Sequence, residues 1–157
     1  MRMKPFWAGL ALLLIVAAPL AARGVKCSLR IHAEANPQDT EAFSTAVHAK
    51  LSGKEVAIEK IPRISENDVI SFLPYPVAQG NYGALFQLDD HGRIALDTLS
   101  VEKHGGLLFV FINGRPITEL QIDKRISDGQ IYIASGLTEA DIKVMAKQWH
   151  LTKPGHH

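Results

Sequence analysis

Six apolar residues stand in unbroken succession from Leu107 to Ile112 and run straight into Asn113-Gly114. A strand of that composition has no wet side, so it belongs in the middle of a sheet with packing on both faces. Asn and Gly both accept the positive φ that a type I′ turn demands, so the chain reverses there into an antiparallel neighbour. The returning strand is read over Ile117 to Asp123, where Thr118, Leu120 and Ile122 alternate with Glu119, Gln121 and Asp123, giving it one wet face. Asp128-Gly129 then marks a second turn, followed by a strand over Gln130 to Ala134. Thr138 with Asp141 three residues on is an acidic form of the capping box. It opens a last helix whose inward face is Ile142, Met145, Ala146 and Trp149; apolar residues at this spacing read as core rather than cofactor contacts.

The first half is read from changes in hydrophobic period. Leu29, Ile31 and Ala33 alternate with polar residues over Ser28 to Ala35, a half-buried strand. Asn36-Pro37 stops it, and Asn36 as cap, Pro37 at the first position and Asp39 in the first turn predict a helix. Phe43, Ala46, Val47 and Leu51 would form its apolar face, and Gly53 would end it. A second strand is expected over Glu55 to Ile61, joined to the first by a right-handed crossover if the two are parallel neighbours. Ser65 to Asp68 predicts a short helix carrying Val69, Ile70 and Phe72, stopped by Pro74 and Pro76. A loop through Gln79 to Gly83, a strand over Ala84 to Leu88, a turn at Asp89 to Gly92, a short helix over Arg93 to Ser100 and a break at His104 to Gly106 complete the pass. The fold class is α+β, with a mixed, largely antiparallel sheet and two main helices packed on one face.

Compartment is read from the N-terminus. Arg2 and Lys4 precede an apolar run from Phe6 to Ala22, and Ala22-Arg23-Gly24 puts small residues where a signal peptidase reads. Residues 1–24 are therefore expected to be a signal peptide cut after Gly24, leaving a periplasmic or secreted domain over 25–151 and a disordered polar tail over 152–157. The alternative of a retained anchor is weakened by the short run and by Pro19 near its end, and lipidation at Cys27 is disfavoured by Lys26 before it. Without the leader, 17 basic residues against 16 acidic become 14 against 16, since only Arg2, Lys4 and Arg23 are lost. Dispersed charge of that balance argues against nucleic acid as a partner, and a membrane partner is expected only if the leader is retained. One cysteine makes no internal disulfide, so the core must hold the fold. Cys27 reads as a small apolar strand residue, with an intermolecular thiol as the sharper alternative.

Catalytic chemistry finds no constellation. Nucleophilic catalysis needs a nucleophile, a base and an orienting group within reach, and the chain has no Gly-x-Ser-x-Gly elbow. His32, His48, His91, His104 and His150 are scattered, with no pair at metal-binding spacing on a predicted helix, and His156-His157 reads as tail. Asp89-Asp90 and Asp123 with Asp128 suit calcium on paper, but carboxylates favour turns because they bond their own backbone. Glu119, Gln121 and Asp123 read as a solvated sheet face. No cofactor and no metal is expected.

An ordered set of motifs resembles a known family. Leu85-Phe-Gln-Leu-Asp-Asp-His-Gly, then Gly106-Leu-Leu-Phe-Val-Phe-Ile-Asn-Gly-Arg-Pro-Ile, then Ser127-Asp-Gly-Gln-Ile-Tyr-Ile-Ala-Ser-Gly-Leu-Thr-Glu-Ala is similar to the first periplasmic head subdomain of the SecD protein-export subunit. The match covers Leu85 to Ala146, under half of the chain. It implies a ferredoxin-like, SecD-head-like fold and a surface that touches extended polypeptide. Proton-driven pumping is not implied, because a SecD subunit uses several membrane spans and no hydrophobic segment follows the leader here. Two function classes follow: a non-catalytic exported binding or assembly module for an envelope protein or extended polypeptide, and a small secreted hydrolase or metal-dependent enzyme whose site forms only in three dimensions. For the first class the binding residues expected are Arg115 at the hairpin tip, able to grip a carboxylate in two places, and Tyr75 and Tyr82 flanking the middle loop.

Overall fold

Alternating Leu29, Ile31 and Ala33 form strand β1 (Leu29–Ala33) as predicted, in a computed structural model that describes residues 26–152. The expected leader, its cleavage after Gly24, and residues 153–157 lie outside the described residues.

The predicted helix after Asn36 is instead a turn and a strand. Asn36 N–H donates to Asp39 Oδ2 at 2.9 Å, closing a local turn rather than capping a helix. The chain then forms β2 (Ser44–His48), which reverses through Gly53 (φ 67°) into antiparallel β3 (Glu55–Glu59). Thr45, Val47 and Val56 are β-branched residues that favour the pleated form. The helical spacing of Phe43, Val47 and Leu51 is coincidental, since Phe43 and Leu51 are 70% and 75% exposed. The parallel crossover is therefore absent: β1 pairs antiparallel with other strands, and β3 touches its end through a single bridge from Glu34 to Ile58.

Short β4 (Ile64–Ser65) leads into a 3-10 turn over Glu66–Asp68 and then β5 (Val69–Pro76). A helix was expected across Val69, Ile70 and Phe72, with Pro74 and Pro76 as its stop. The two prolines instead sit two apart inside a strand, where missing N–H groups are tolerated on the side that makes no ladder bond. After a tight turn at Gln79 and Gly80 the chain returns as β6 (Tyr82–Leu88). Asp89 accepts from Gly92 N–H at 2.8 Å, so the predicted turn at Asp89 to Gly92 is the capped first turn of α1 (Asp90–Glu102), longer than the sequence indicates. The remaining predicted elements form: β7 (Leu107–Ile112), β8 (Arg115–Gln121), which starts and ends earlier than the sequence indicates, β9 (Gln130–Leu137), which runs beyond Ala134, and capped α2 (Glu139–Gln148); the short β10 (His150–Leu151) that follows is not indicated by the sequence. Asn113 (φ 50°) and Gly114 (φ 74°) form the expected hairpin turn.

The protein is thus α+β; among the described residues pairing is antiparallel except for β10 against β5, and there are two α-helices. Its strands divide between a first sheet ordered β4-β1-β7-β8 and a second ordered β10-β5-β6-β9, with β2-β3 as a separate ribbon. The apolar run of β7 is explained by what lies on each side. Leu108, Val110 and Ile112 enter the main core with Leu29, Ile31, Leu96, Leu99, Met145 and Trp149. On the opposite face Phe109, Leu107 and Phe111 pack under the ribbon, against Ala49, Val47, Val56 and Ile58. Met145 and Trp149 are core residues, as predicted, and Trp149 stands edge-on to both Phe72 and Phe86.

Candidate functional site

Each sheet ends in an edge strand, and two of those edges face one another. β8 closes the first sheet and β9 the second. They come together where Gly136 packs on Ile117, a contact so close that a side-chain carbon on Gly136 would lie 3.2 Å from Ile117 Cγ2. Away from that contact they part, and a cleft of about 430 Å³ opens between them. Leu120, Gln121 and Ile122 form one wall, Gln130, Ile131 and Tyr132 the other, with buried Leu96 and Leu108 beneath. Ile126 and the polar residues Asp123, Lys124 and Asp128 complete the rim.

Among the described residues, the other edges of the two four-stranded sheets are covered or short. β10 covers β5 at Ser71 and Phe72, and Thr152 N–H donates to Phe72 O at 2.9 Å. Beyond that point Pro74 and Pro76 offer no N–H to a newcomer. β4, the outer strand of the first sheet, is two residues long. The open backbone of both sheets is therefore concentrated at the cleft.

The three residues expected to bind a partner occupy different settings. Tyr75 and Tyr82 lie within strands, Tyr75 opposite Gly83 and Tyr82 opposite Pro76, and the loop between them is short. Tyr75 donates its hydroxyl to Ile133 O at 2.7 Å and stacks on Tyr132 with ring centroids 5.7 Å apart. Burial, and then the neighbouring Tyr132, push the Tyr75 phenol above its ordinary range. Tyr82 packs against the edge of the main core. Arg115 does stand at the start of β8 beside the turn, but its Nη2 lies 2.6 Å from Asp141 Oδ2. That ion pair ties the hairpin to the N-terminus of α2, whose Thr138 N–H and hydroxyl also donate to the same carboxylate oxygen, each at 2.8 Å. The structure thus joins Tyr75 to Tyr132, which lines the cleft, and pairs Arg115 with Asp141 away from the cleft lining.

Two acidic residues do work that the sequence did not indicate. Glu119, expected on a solvated face, is 8% exposed and accepts from the backbone N–H groups of Lys50 and Leu51, pinning the ribbon to β8. Asp68 is buried; it accepts from Ser65 N–H at 2.7 Å through one oxygen and meets His91 Nδ1 at 2.7 Å through the other. Burial pushes the Asp68 carboxyl up, but the Ser65 and His91 bonds outweigh it and hold it below the ordinary value, while the same contact raises His91. Asp68, Asp89 and His91 each offer a ligand atom within 4.8 Å of the others. These are the residues that would hold a metal, yet both Asp68 oxygens and Asp89 Oδ1 are engaged as caps and as a partner for His91. No local motif announces this cluster, because Asp68 reaches α1 only through the fold; Gly92 permits it, since a side-chain carbon there would fall 2.8 Å from Asp68 Cβ.

Known proteins share this architecture at low sequence identity. The chain superposes on a membrane component SecDF that enhances protein export, with a TM-score of 0.54 and 14% identity over 80% of this chain. It likewise superposes on SecDF in its super-membrane-facing form, with a TM-score of 0.53 and 14% identity over 80% of this chain. The match spans 64% of the first structure's chain and 19% of the second's. No family model matches the chain, and no curated protein matches it. The likeness is one of fold, and it extends well beyond the segment from Leu85 to Ala146 that carries the sequence resemblance. Among the described residues no helix is long and apolar enough to cross a membrane.

Proposed function

We infer that this protein is a non-catalytic, exported binding module that holds extended polypeptide, or an extended segment of an envelope protein, in the cleft between β8 and β9. A single observation carries the reading: among the described residues, the long edge strands of the two four-stranded sheets, β8 and β9, face one apolar cleft. An extended chain brings unpaired backbone groups and alternating side chains, and such an edge beside an apolar recess answers both. The signal-like run from Phe6 to Ala22 supports export of a domain over residues 25–151, periplasmic or secreted. The SecDF-like fold supports the same reading, since that protein enhances export. Tyr132 supplies an aromatic wall of the cleft, and Tyr75 buttresses it by stacking. Arg115 contributes at most indirectly, through the placement of β8.

The test is binding of a permanently unfolded, carboxymethylated polypeptide, with the same protein in its folded form as control. The unfolded chain should bind and the folded one should not. Leu120→Glu, which places a charge on the cleft wall, should weaken binding by roughly tenfold, the effect of about 1.4 kcal/mol. Equal binding of folded and unfolded forms, or full binding by Leu120→Glu, would refute the reading.

A further inference from the structure

Backbone groups decide how a polypeptide is gripped at a sheet edge. Leu88 N–H donates to Gly129 O at 2.9 Å, and this bond sets the phase of the β6-β9 ladder. In an antiparallel pair the bonded residues alternate. Ile131 and Ile133 therefore turn their N–H and C=O groups toward β6, and Gln130, Tyr132 and Ala134 turn theirs away. A second bond agrees with this phase: Gln130 N–H meets Asp128 Oδ1 at 3.0 Å rather than an acceptor on β6. Gln130, Tyr132 and Ala134 are exposed and alternate with buried Ile131 and Ile133. Among the described residues no acceptor stands against the Tyr132 or Ala134 N–H on the open side.

We propose that polypeptide binds by strand addition to β9, lying along Gln130 to Ala134 as a fifth strand of the second sheet. Gln130 C=O, both Tyr132 groups and Ala134 N–H supply the ladder. Side chains of the added strand on the same face as Ile131 and Ile133 enter the cleft, so the partner is a segment apolar at every second position. Recognition is through backbone, which makes it tolerant of sequence but intolerant of proline at the positions that face β9. This rests on the polypeptide-binding reading and specifies its mode.

The probe is a fluorescent peptide alternating Val and Thr, titrated with the full-length chain and followed by anisotropy. The alternation fixes which face meets the cleft, because a one-residue slip would turn the apolar set outward. Two N-methylated versions carry the methyl groups on alternate amides, the second displaced by one residue from the first. Strand addition requires that one pattern weaken binding by roughly tenfold or more while the other leaves it nearly unchanged. Ala134→Pro removes an N–H that makes no bond to β6, so it should retain the circular dichroism of the parent and bind the unmethylated peptide more weakly. Equal effects of the two methylation patterns would overturn strand addition while leaving the cleft as a polypeptide site. Failure of every peptide, and of unfolded polypeptide as well, would overturn both.

Discussion

The ring of Tyr75 lies across Gly83, its directly opposite neighbour on β6, so closely that a side-chain carbon on Gly83 would fall 2.3 Å from Tyr75 Cζ. Aromatic cover of a strand glycine restores the packing that the missing side chain gives up. The ring cannot simply swing aside, because its hydroxyl holds Ile133 O and its face is stacked on Tyr132. Gly83→Ala should therefore destabilise the fold by about 1–3 kcal/mol, the usual range for overpacking. Urea denaturation checks it. Tyr75→Ala combined with Gly83→Ala should cost less than the two single changes together, since the clash disappears with the ring.

Arg115 behaves in the same way as a structural residue. With Asp141 buried and Arg115 about half exposed, the pair contributes modestly, and Arg115→Ala should lower stability by about 1 kcal/mol. Asp141→Ala should cost more, about 2 kcal/mol, because it removes the capping box of α2 along with the ion pair. Thermal or urea unfolding of the two variants should place them in that order; equal stability of Arg115→Ala and the parent would show that the pair is not held in solution.

Acid should act through the capping carboxylates. Burial pushes the Asp141 carboxyl up, but the Thr138 backbone and hydroxyl bonds and then Arg115 outweigh it, so its folded pKa lies below the ordinary 3.8. Asp68 is depressed in the same sense by Ser65 and His91, and Glu59 chiefly by its hydrogen bond to Arg63. A depressed folded pKa contributes stability that is present above the unfolded value and is lost as pH falls through the folded one. Stability should hold down to about pH 4–5 and decline below it. His91 has the opposite sign: raised above 6.5 by its bond to Asp68, it contributes below 6.5 and loses that contribution as pH rises through its folded pKa. Urea midpoints across this range check both slopes, and Asp68→Asn should flatten each of them.

The features legible in the sequence were those in which a few adjacent residues carry a complete stereochemical instruction. Asn113-Gly114 needs two positive φ values and nothing else, and Thr138 with Asp141 closes its own capping box. The double-sided burial of β7 was legible because composition alone demanded it. What covers its outer face was not. The segment from Phe43 to Leu51 has apolar residues at helical spacing, and its true partner, Glu119, lies 68 residues from Leu51 along the chain. The prolines of β5 misled for a related reason: a proline ends a helix wherever it falls, but it is harmless in a strand that turns its empty side outward. The cleft was the least legible feature, because an edge is a property of sheet order. Leu120 and Tyr132 read as ordinary strand residues until β8 and β9 are known to terminate different sheets.

Cys27 supplies the last prediction. Its side chain is fully buried, and Gln148 clasps its backbone on both sides, accepting from Cys27 N–H at 2.8 Å and donating to Cys27 O at 3.1 Å. Burial, then the negative charges of Asp141 and Glu66, push the thiol pKa to about 11. Reactivity follows the thiolate and its access, and here both are suppressed. At pH 8 a maleimide should label native protein only as fast as the N-terminal strand opens, whereas labelling in urea should be immediate. Gln148→Ala, which releases the clasp without touching the sulfur, should speed native labelling while changing the urea rate not at all. Rapid labelling of the folded parent would place Cys27 at the surface, free to pair with another thiol, and would mean that the Gln148 clasp is not held in solution.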